Sequence, residues 1–367
     1  MSRKKRYTAC MAVFLAVGLA WLGLQPACGP SGQKQGKKSM QGQIRAFVYH
    51  HVGMDEKYPS TSVSEEQFRR QLAYLKNHDY TVLPLGRALD LLYSGKKVPE
   101  KTAVITLDDG YRSVWENALP LLEQFGYRAT IFVATANVGG SNYMNWEQIT
   151  KLQQRGFEIG NHSHSHAYFV NKPREGIKEA FEADLQRSHE LFRRHLNKVP
   201  ELYAYPFGEY CPEMAGILKE YDYQAAAAQR SGVIYGGSSR FALPRFPMNL
   251  RYGRMEAFAR KVRMNALRVA AATPKSPLVA GTNPPGLKLR IANSAIDPAG
   301  LQCFVNGQRT CTIGSAKENG ALFVTVRARE KLSSRRSLYT ITAPSKDGSR
   351  WFWYSHPWVI PAIDGRF

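Results

Sequence analysis

From Ile44 onward, short apolar runs alternate with amphipathic segments that carry a helical spacing of apolar residues, such as Phe68, Leu72 and Leu75. The runs are rich in β-branched residues, which is typical of buried strands. Repeated strand–helix units predict a parallel sheet covered by helices and closed, or nearly closed, into a barrel. The predicted strands are 44–49, 80–83, 102–107, 129–134, 157–160, 202–205 and 223–227, and the last predicted helix is 255–269.

This pattern ends near residue 272. Residues 273–286 contain four prolines and two glycines, which predicts a linker. Beyond it, short apolar stretches are separated by turn residues and lack a helical period. We therefore predict a small antiparallel β-sandwich at 287–367, with strands at 287–292, 302–305, 321–327 and 337–343.

The N-terminus predicts export. Basic residues 3–6 precede an uncharged apolar run from Ala9 to Leu24, and small residues follow at Ala27. We assign residues 1–27 to a signal peptide and the Gly-, Lys- and Ser-rich residues 28–43 to a flexible tether. Cys28 is placed as in a bacterial lipidation site, although Gln25 replaces the usual leucine. Lipidation at Cys28, simple cleavage and an uncleaved anchor all stay open, in the periplasm or cell envelope.

The excess of basic over acidic residues limits the kinds of partner that are expected for this protein. Lysine and arginine total 50 against 29 acidic residues, which favours contact with anionic surfaces. Zinc-finger spacings and a phosphate-binding glycine loop are missing, so nucleic acid is not an expected partner. Membrane contact is expected only through the signal or a lipid. Cys303 and Cys311 flank an Asn306-Gly307 turn, which favours a local disulfide, whereas Cys211 is best explained as a small apolar filler.

Two stretches at predicted strand ends carry chemistry. Asp108 and Asp109 follow an apolar strand directly, and two adjacent carboxylates repel each other unless a cation or a catalytic proton is present. The second stretch places histidines at 162, 164 and 166, and in either a helical or an extended chain His162 and His166 converge. Two imidazoles and one carboxylate leave an open position, as in catalytic zinc sites. A solvated polar loop is the alternative for each stretch.

These motifs resemble those of the polysaccharide deacetylases, carbohydrate esterase family 4 with its NodB homology domain. The resemblance lies in Thr106–Gly110, His162–His166 and Tyr205–Gly208, in that order and spacing. It extends over about residues 44–267. It implies a distorted (β/α) barrel at 44–272, followed here by the sandwich at 287–367. The form of residues 204–210 is most similar to deacetylases of poly-β-1,6-N-acetylglucosamine.

The resemblance also implies residue roles. Asp108 matches the catalytic base, and Asp109, His162 and His166 match the ligands of a divalent metal, most often Zn²⁺. The backbone N–H of Phe207 matches the donor that stabilises the oxyanion. The implied activity is removal of N-acetyl groups from an N-acetylglucosamine-containing polysaccharide, with a water molecule attacking the acetamide.

The chain departs from the family pattern at two places. Ala204-Tyr205 stands where the family often has an arginine, and the usual late histidine is missing between His195 and His356. We predict that Arg245 holds the catalytic carboxylate in place of that arginine; a surface or ion-pair role is the alternative. The residue that protonates the leaving amine stays open.

Three further residues are expected at the substrate. His50 ends the first strand, and Tyr205 and Tyr210 offer stacking faces for sugar rings, although core packing explains both tyrosines equally well. The alternative function is a glycan-binding protein with a weak or inactive site. A serine esterase ranks last, because no Gly-x-Ser-x-Gly elbow is present.

Overall fold

The computed structural model describes residues 42–54, 56–308 and 311–362. The predicted signal peptide and all but the last two residues of the predicted tether lie outside these ranges. Within the described ranges, no helix is both long enough and apolar enough to span a bilayer.

The first part of the chain alternates strands and helices, as predicted. A π-helical turn at Val114–Ala118 leads into α3, and a 3₁₀ turn at Pro206–Gly208 follows β8. The elements in chain order are β1 (Gln43–Tyr49), β2 (His51–Val52), β3 (Ser62–Val63), α1 (Glu65–Asn77), β4 (Thr81–Val82), α2 (Leu85–Tyr93), β5 (Thr102–Leu107), α3 (Leu119–Gln124), β6 (Thr130–Val133), α4 (Trp146–Gln154), β7 (Glu158–Asn161), α5 (Arg174–Leu196), β8 (Leu202–Ala204), α6 (Pro212–Glu220), β9 (Ala225–Ala227), β10 (Ile234–Tyr235), β11 (Phe246–Pro247) and α7 (Met255–Val262).

Strands β2 and β3 pair only with each other, and the others form one curled sheet in the order β10-β1-β5-β6-β7-β8-β9, with β4 added to β5 and β11 added to β1. All pairs are parallel except β1 with β10. Leu243 bridges β9, and Phe246-Pro247 pairs with β1, so the segment 243–247 links the two ends of the curled sheet. The predicted distorted barrel is therefore confirmed.

Local chemistry explains the element boundaries. Every residue of β5 is buried, which accounts for its unbroken run of β-branched and apolar side chains. Helix α1 begins where the Ser64 hydroxyl accepts the Gln67 N–H at 3.1 Å, which satisfies a backbone donor left free at the helix start. Its buried stripe of Phe68, Leu72 and Leu75 packs on the sheet.

The second part is a β-sandwich of two four-stranded sheets. The sheets have the orders β12-β19-β18-β15 and β13-β14-β17-β16, and Leu289, Val324, Ile341 and Trp358 are buried in the sandwich core. The predicted disulfide between Cys303 and Cys311 is present. The strands are β12 (Asn265–Ala266), β13 (Val269–Thr273), β14 (Gly286–Ile291), β15 (Gln302–Val305), β16 (Cys311–Glu318), β17 (Ala321–Ala328), β18 (Arg336–Pro344) and β19 (Trp351–Val359).

The prediction of a helix over 255–269 is wrong beyond Val262. Strand β12 instead pairs with Phe352-Trp353 of β19, and β13 pairs with β14. Backbone pairing with β14 and with β19, which is almost 90 residues away, overrides the local helical spacing, which cannot report such partners. The predicted end of the barrel domain at 272 therefore falls inside a strand of the sandwich.

Candidate active site

Strand β5 delivers two adjacent acids to the carboxyl edge of the sheet. The Asp108 N–H donates to the Tyr49 carbonyl at 2.9 Å, which fixes the end of β5 against β1. Asp109 has a φ of 74°, a left-handed conformation that is uncommon for a residue other than glycine. Both side chains are buried, with 3% and 6% exposure. The turn therefore points two carboxylates into the protein instead of into solvent.

The histidine-containing loop follows β7 and is held by residues outside the motif. Asp184 on α5 accepts the N–H groups of His164 and Ser165 at 2.7 and 2.8 Å. The Ser163 hydroxyl accepts the His166 N–H at 2.8 Å, and Ser163 and His166 both have positive φ. Such strain persists only where the surroundings determine the conformation, and it is common at functional sites.

This loop brings two imidazoles to one carboxylate. Oδ1 of Asp109 lies 3.1 Å from Nε2 of His162 and 3.0 Å from Nε2 of His166. The three donor atoms are all within 4.8 Å of one another. A side chain from the turn after β5 and two from the loop after β7 thus face a single point, whereas the His164 ring turns away and is hydrogen-bonded to the Thr135 hydroxyl at 2.9 Å.

The hydrogen bonding and charge around His162 indicate that the point between Asp109, His162 and His166 suits a cation. Its Nδ1 lies 2.7 Å from the Ala204 carbonyl, which only accepts, so in the neutral ring Nδ1 carries the proton and Nε2 presents a lone pair to Asp109. A lone pair and a carboxylate oxygen repel unless positive charge lies between them. Burial lowers the pKa of His162, but Asp109 and Asp108 raise it overall. The two carboxylates therefore favour positive charge at this point. The donor set fits a divalent metal with an open position.

Arg245 pairs with the other carboxylate. Its Nη1 and Nη2 donate to Oδ1 and Oδ2 of Asp108 at 2.7 and 2.8 Å, and Nη1 also donates to the Thr106 hydroxyl at 3.0 Å. The side chain is fully buried in the segment that links the two ends of the sheet. The predicted contact between Arg245 and Asp108 is therefore present, as a buried two-pronged ion pair and not as a surface interaction.

The carboxylates stay ionised despite their burial. Burial raises the pKa of Asp108, but Arg245 and His162 lower it more, so the pKa lies below its usual value. Burial likewise raises the pKa of Asp109, but His162 and His166 hold it well below the usual range. Both acids are anionic at neutral pH and can serve as a base and as a metal ligand.

Phe207 lies in a strained turn beside the histidines. Its φ and ψ are 58° and 1°, and its ring packs against the His166 ring with centroids 4.5 Å apart. Among the described residues, no acceptor takes the Phe207 N–H. A free, fixed N–H next to a cation site is what stabilisation of an oxyanion requires.

The three residues predicted to contact the substrate have different surroundings in the structure. His50 lies close enough to Asp109 and Asp108 to feel both charges, burial lowers its pKa, and its Nδ1 is buried without a partner. Tyr205 was predicted at the substrate, but it is fully buried and its hydroxyl donates to the Phe241 carbonyl. Tyr210 stacks on Tyr205 and is 9% exposed. Core packing therefore accounts for both tyrosines, and neither offers a free face to a sugar.

Sequence reasoning missed the aromatic row beside Asp109. His51 is stacked between Tyr58 and Tyr111, with centroids 4.5 and 3.6 Å away, and Tyr143 stacks on Tyr111 at 5.0 Å. Burial lowers the pKa of His51 to about 4, so the ring is neutral at neutral pH. The sequence signal for this row was the position of His51 two residues after the end of β1. Asp184 was missed as well, because it lies on a helix distant in sequence from the loop that it holds.

Comparison with known proteins agrees with this geometry. Residues 95–226 match the family model described as polysaccharide deacetylase. The match includes Asp108, Asp109, His162, His166 and Phe207. Arg245 and the sandwich lie outside it.

Individual relatives give the same picture. A Staphylococcus aureus poly-beta-1,6-N-acetyl-D-glucosamine N-deacetylase is 27% identical over 212 residues, covering 55% of this chain and 72% of the relative. The structure of IcaB from Ammonifex degensii has a TM-score of 0.53 at 26% identity, covering 59% and 97% of the two chains. The Streptococcus pyogenes deacetylase PplD, solved with acetate, shares the fold with a TM-score of 0.55 at 19% identity, over 60% and 99%.

The fold, the site geometry and these comparisons together support a NodB-type polysaccharide deacetylase for the barrel. Residues 95–226 match the polysaccharide deacetylase family, and a β-sandwich follows the barrel that contains them.

Proposed function

We propose that the protein is an exported, metal-dependent hydrolase that removes N-acetyl groups from an N-acetylglucosamine-containing polysaccharide. The observation that carries this proposal is the convergence of Asp109, His162 and His166 beside an ionised Asp108. The S. aureus relative, whose name specifies poly-β-1,6-N-acetylglucosamine, supports the polymer class.

Each group has a task in amide hydrolysis. Asp109, His162 and His166 would hold a divalent cation, and Zn²⁺ fits their donor set. Such a cation would lower the pKa of water and polarise a carbonyl oxygen. Arg245 orients Asp108 and keeps it ionised, so that Asp108 takes the proton of the attacking water.

The remaining steps use the Phe207 turn. As the new C–O bond forms, the negative charge on the acetamide oxygen is stabilised by the Phe207 N–H. The C–N bond then breaks, and the proton held by Asp108 passes to the leaving nitrogen, which yields acetate and a free amine. His50, neutral because of its lowered pKa, contacts the substrate as a hydrogen-bonding group.

Export brings the enzyme to its polymer. The basic head and apolar run of residues 1–27 support delivery to the periplasm or cell envelope, and Cys28 supports a lipid anchor. Replacing Cys28 with serine is expected to move the protein from the membrane fraction to the soluble fraction of cells. Unchanged membrane association would contradict lipidation.

The activity is tested by acetate release from a panel of N-acetylated glycans, with Asp109→Asn beside the wild type. We expect the wild type to release acetate and to contain about one zinc per chain, and the variant to lose both. Equal release by both proteins would contradict a metal hydrolase. A wild type that binds glycan without metal or acetate release would favour the binding protein.

A further inference from the structure

The sandwich contacts the Phe207 turn through the first residue of β18. Arg336 Nη1 donates to the Phe207 carbonyl and, at 2.8 Å, to Oε1 of Gln229. Gln229 follows β9, so one guanidinium ties the turn both to the barrel wall and to the sandwich. The Phe207 peptide group is thus anchored from a part of the chain that the family model does not cover.

The neighbouring arginine holds the other side of the same turn. Arg335 donates to both carboxylate oxygens of Glu209 at 2.9 and 2.6 Å, and Glu209 is 5% exposed. The Arg335 guanidinium also lies 4.2 Å from the Tyr168 ring centroid. Tyr168 in turn stacks on the Phe207 ring at 3.6 Å, nearly parallel to it. Backbone and ring of Phe207 are therefore both fixed by contacts that lead to the sandwich.

The turn needs such support because its conformation is costly. Phe207 occupies the left-handed region, which an aromatic residue adopts only when its surroundings require it. Gly208, with a φ of 70°, sits so close to Gln229 that a Cβ would lie 2.3 Å from the Gln229 N. Two backbone hydrogen bonds close the turn, from the Gly208 N–H to the Tyr205 carbonyl at 2.8 Å and from the Glu209 N–H to the Pro206 carbonyl at 3.2 Å, and the arginine contacts add to them.

We propose that Arg335 and Arg336 are positioning residues, which hold the Phe207 N–H towards the reacting carbonyl, and that the sandwich is thereby an integral part of the active site. The inference rests on the proposed function, because the N–H matters only if an oxyanion forms there. It assigns the sandwich a role that a glycan-binding module or a plain spacer would not have.

The test compares Arg336→Ala, Arg336→Lys and Arg335→Ala with Arg329→Ala, which removes an exposed arginine directly after β17 in the other sheet of the sandwich. We expect Arg336→Ala to lower kcat about tenfold or more with KM nearly unchanged, since misplacing a catalytic group by about 1 Å costs up to about 100-fold. Arg336→Lys, which keeps a charged donor, should recover part of the loss. Zinc content and Arg329→Ala activity should equal those of the wild type.

Hydrogen exchange gives a readout that does not depend on activity. Peptides covering residues 205–211 should exchange faster in Arg336→Ala, whereas peptides from β5 should not. The proposal is overturned if kcat and exchange both match the wild type, or if kcat falls only together with zinc content. A wild type that releases no acetate would instead refute the proposed function, while faster exchange would still establish the contact between the sandwich and the turn.

Discussion

At the residue scale, the site divides its two adjacent acids between different partners. Asp108 is held by Arg245 and Asp109 by two imidazoles, so carboxylates that repel each other in sequence are separated electrostatically in space. Eight residues other than glycine have a positive φ in the described ranges. Four of them lie in the loops after β5, β7 and β8: Asp109, Ser163, His166 and Phe207. The strain is concentrated where the chemistry is proposed.

Asp108 is the residue whose loss should separate chemistry from metal binding. Asp108→Asn keeps the shape of the side chain but cannot take a proton, so we expect acetate release to fall about 100- to 10,000-fold. Zinc content should stay at the wild-type level, because Asp109, His162 and His166 are intact. Activity within a fewfold of the wild type would show that another group acts as the base.

Arg245 should matter for both activity and stability. Arg245→Ala leaves Asp108 buried without its partner, which typically costs about 3–5 kcal/mol of unfolding free energy. We expect lower thermal stability and a large loss of turnover. Arg245→Lys keeps the charge but not the two-pronged geometry, so its thermal stability and turnover should lie between those of the wild type and Arg245→Ala. Near-wild-type turnover of Arg245→Ala would rule out a role in holding the carboxylate.

At the element scale, the loops after β5, β7 and β8 bring the chemistry to one edge of the sheet. Parallel strands end at the same edge, so motifs about 50 residues apart meet there. The segment 243–247 adds Arg245 from the other side, because it links β9 with β1.

The turn after β8 offers an element-scale prediction. Gly208→Ala would place a Cβ 2.3 Å from the Gln229 backbone and would strain a positive φ, so we expect about 2 kcal/mol or more of destabilisation and loss of acetate release. Gly216→Ala is the matched control. Its Cβ on α6 meets open space, and helix propensity favours alanine. Thermal unfolding of both variants checks the prediction, and equal behaviour would contradict it.

At the scale of the whole molecule, the barrel and the sandwich are joined by strand pairing, ring packing and a hydrogen bond. Strand β12 pairs with β19, and the Trp353 ring of β19 packs edge-on against Phe246, with centroids 5.6 Å apart. The guanidinium of Arg230, which follows β9 of the barrel, donates to the carbonyl of Ser355 in β19 at 3.0 Å. These contacts bury apolar surface of the barrel that would otherwise face water.

Residues 44–272 alone should therefore fold poorly. This truncation leaves β12 and β13 without partners and exposes Phe246, so we expect an insoluble or non-cooperatively unfolding product. Expression of 44–272 beside the full chain, followed by thermal denaturation, measures the difference. A soluble fragment with full activity would show that the predicted boundary at 272 marks an independent domain and would also contradict the role of Arg336.

The sequence by itself determined the barrel and the motifs that meet at the candidate metal site. Strands such as β5 carry their own signal because they are buried on both faces, and short motifs such as Asp108-Asp109 keep their spacing whatever surrounds them. The disulfide was predictable for the same reason, since a tight turn brings Cys303 to Cys311.

Only the tertiary structure decided what depends on distant partners. The helical spacing of 263–269 lost to pairing with β19 and β14, and the tyrosines 205 and 210 went into the core instead of to the substrate. Arg335 and Arg336, at the start of β18, look like ordinary surface charges in the sequence. Their place at the Phe207 turn follows from packing between segments over 120 residues apart, which no local pattern encodes.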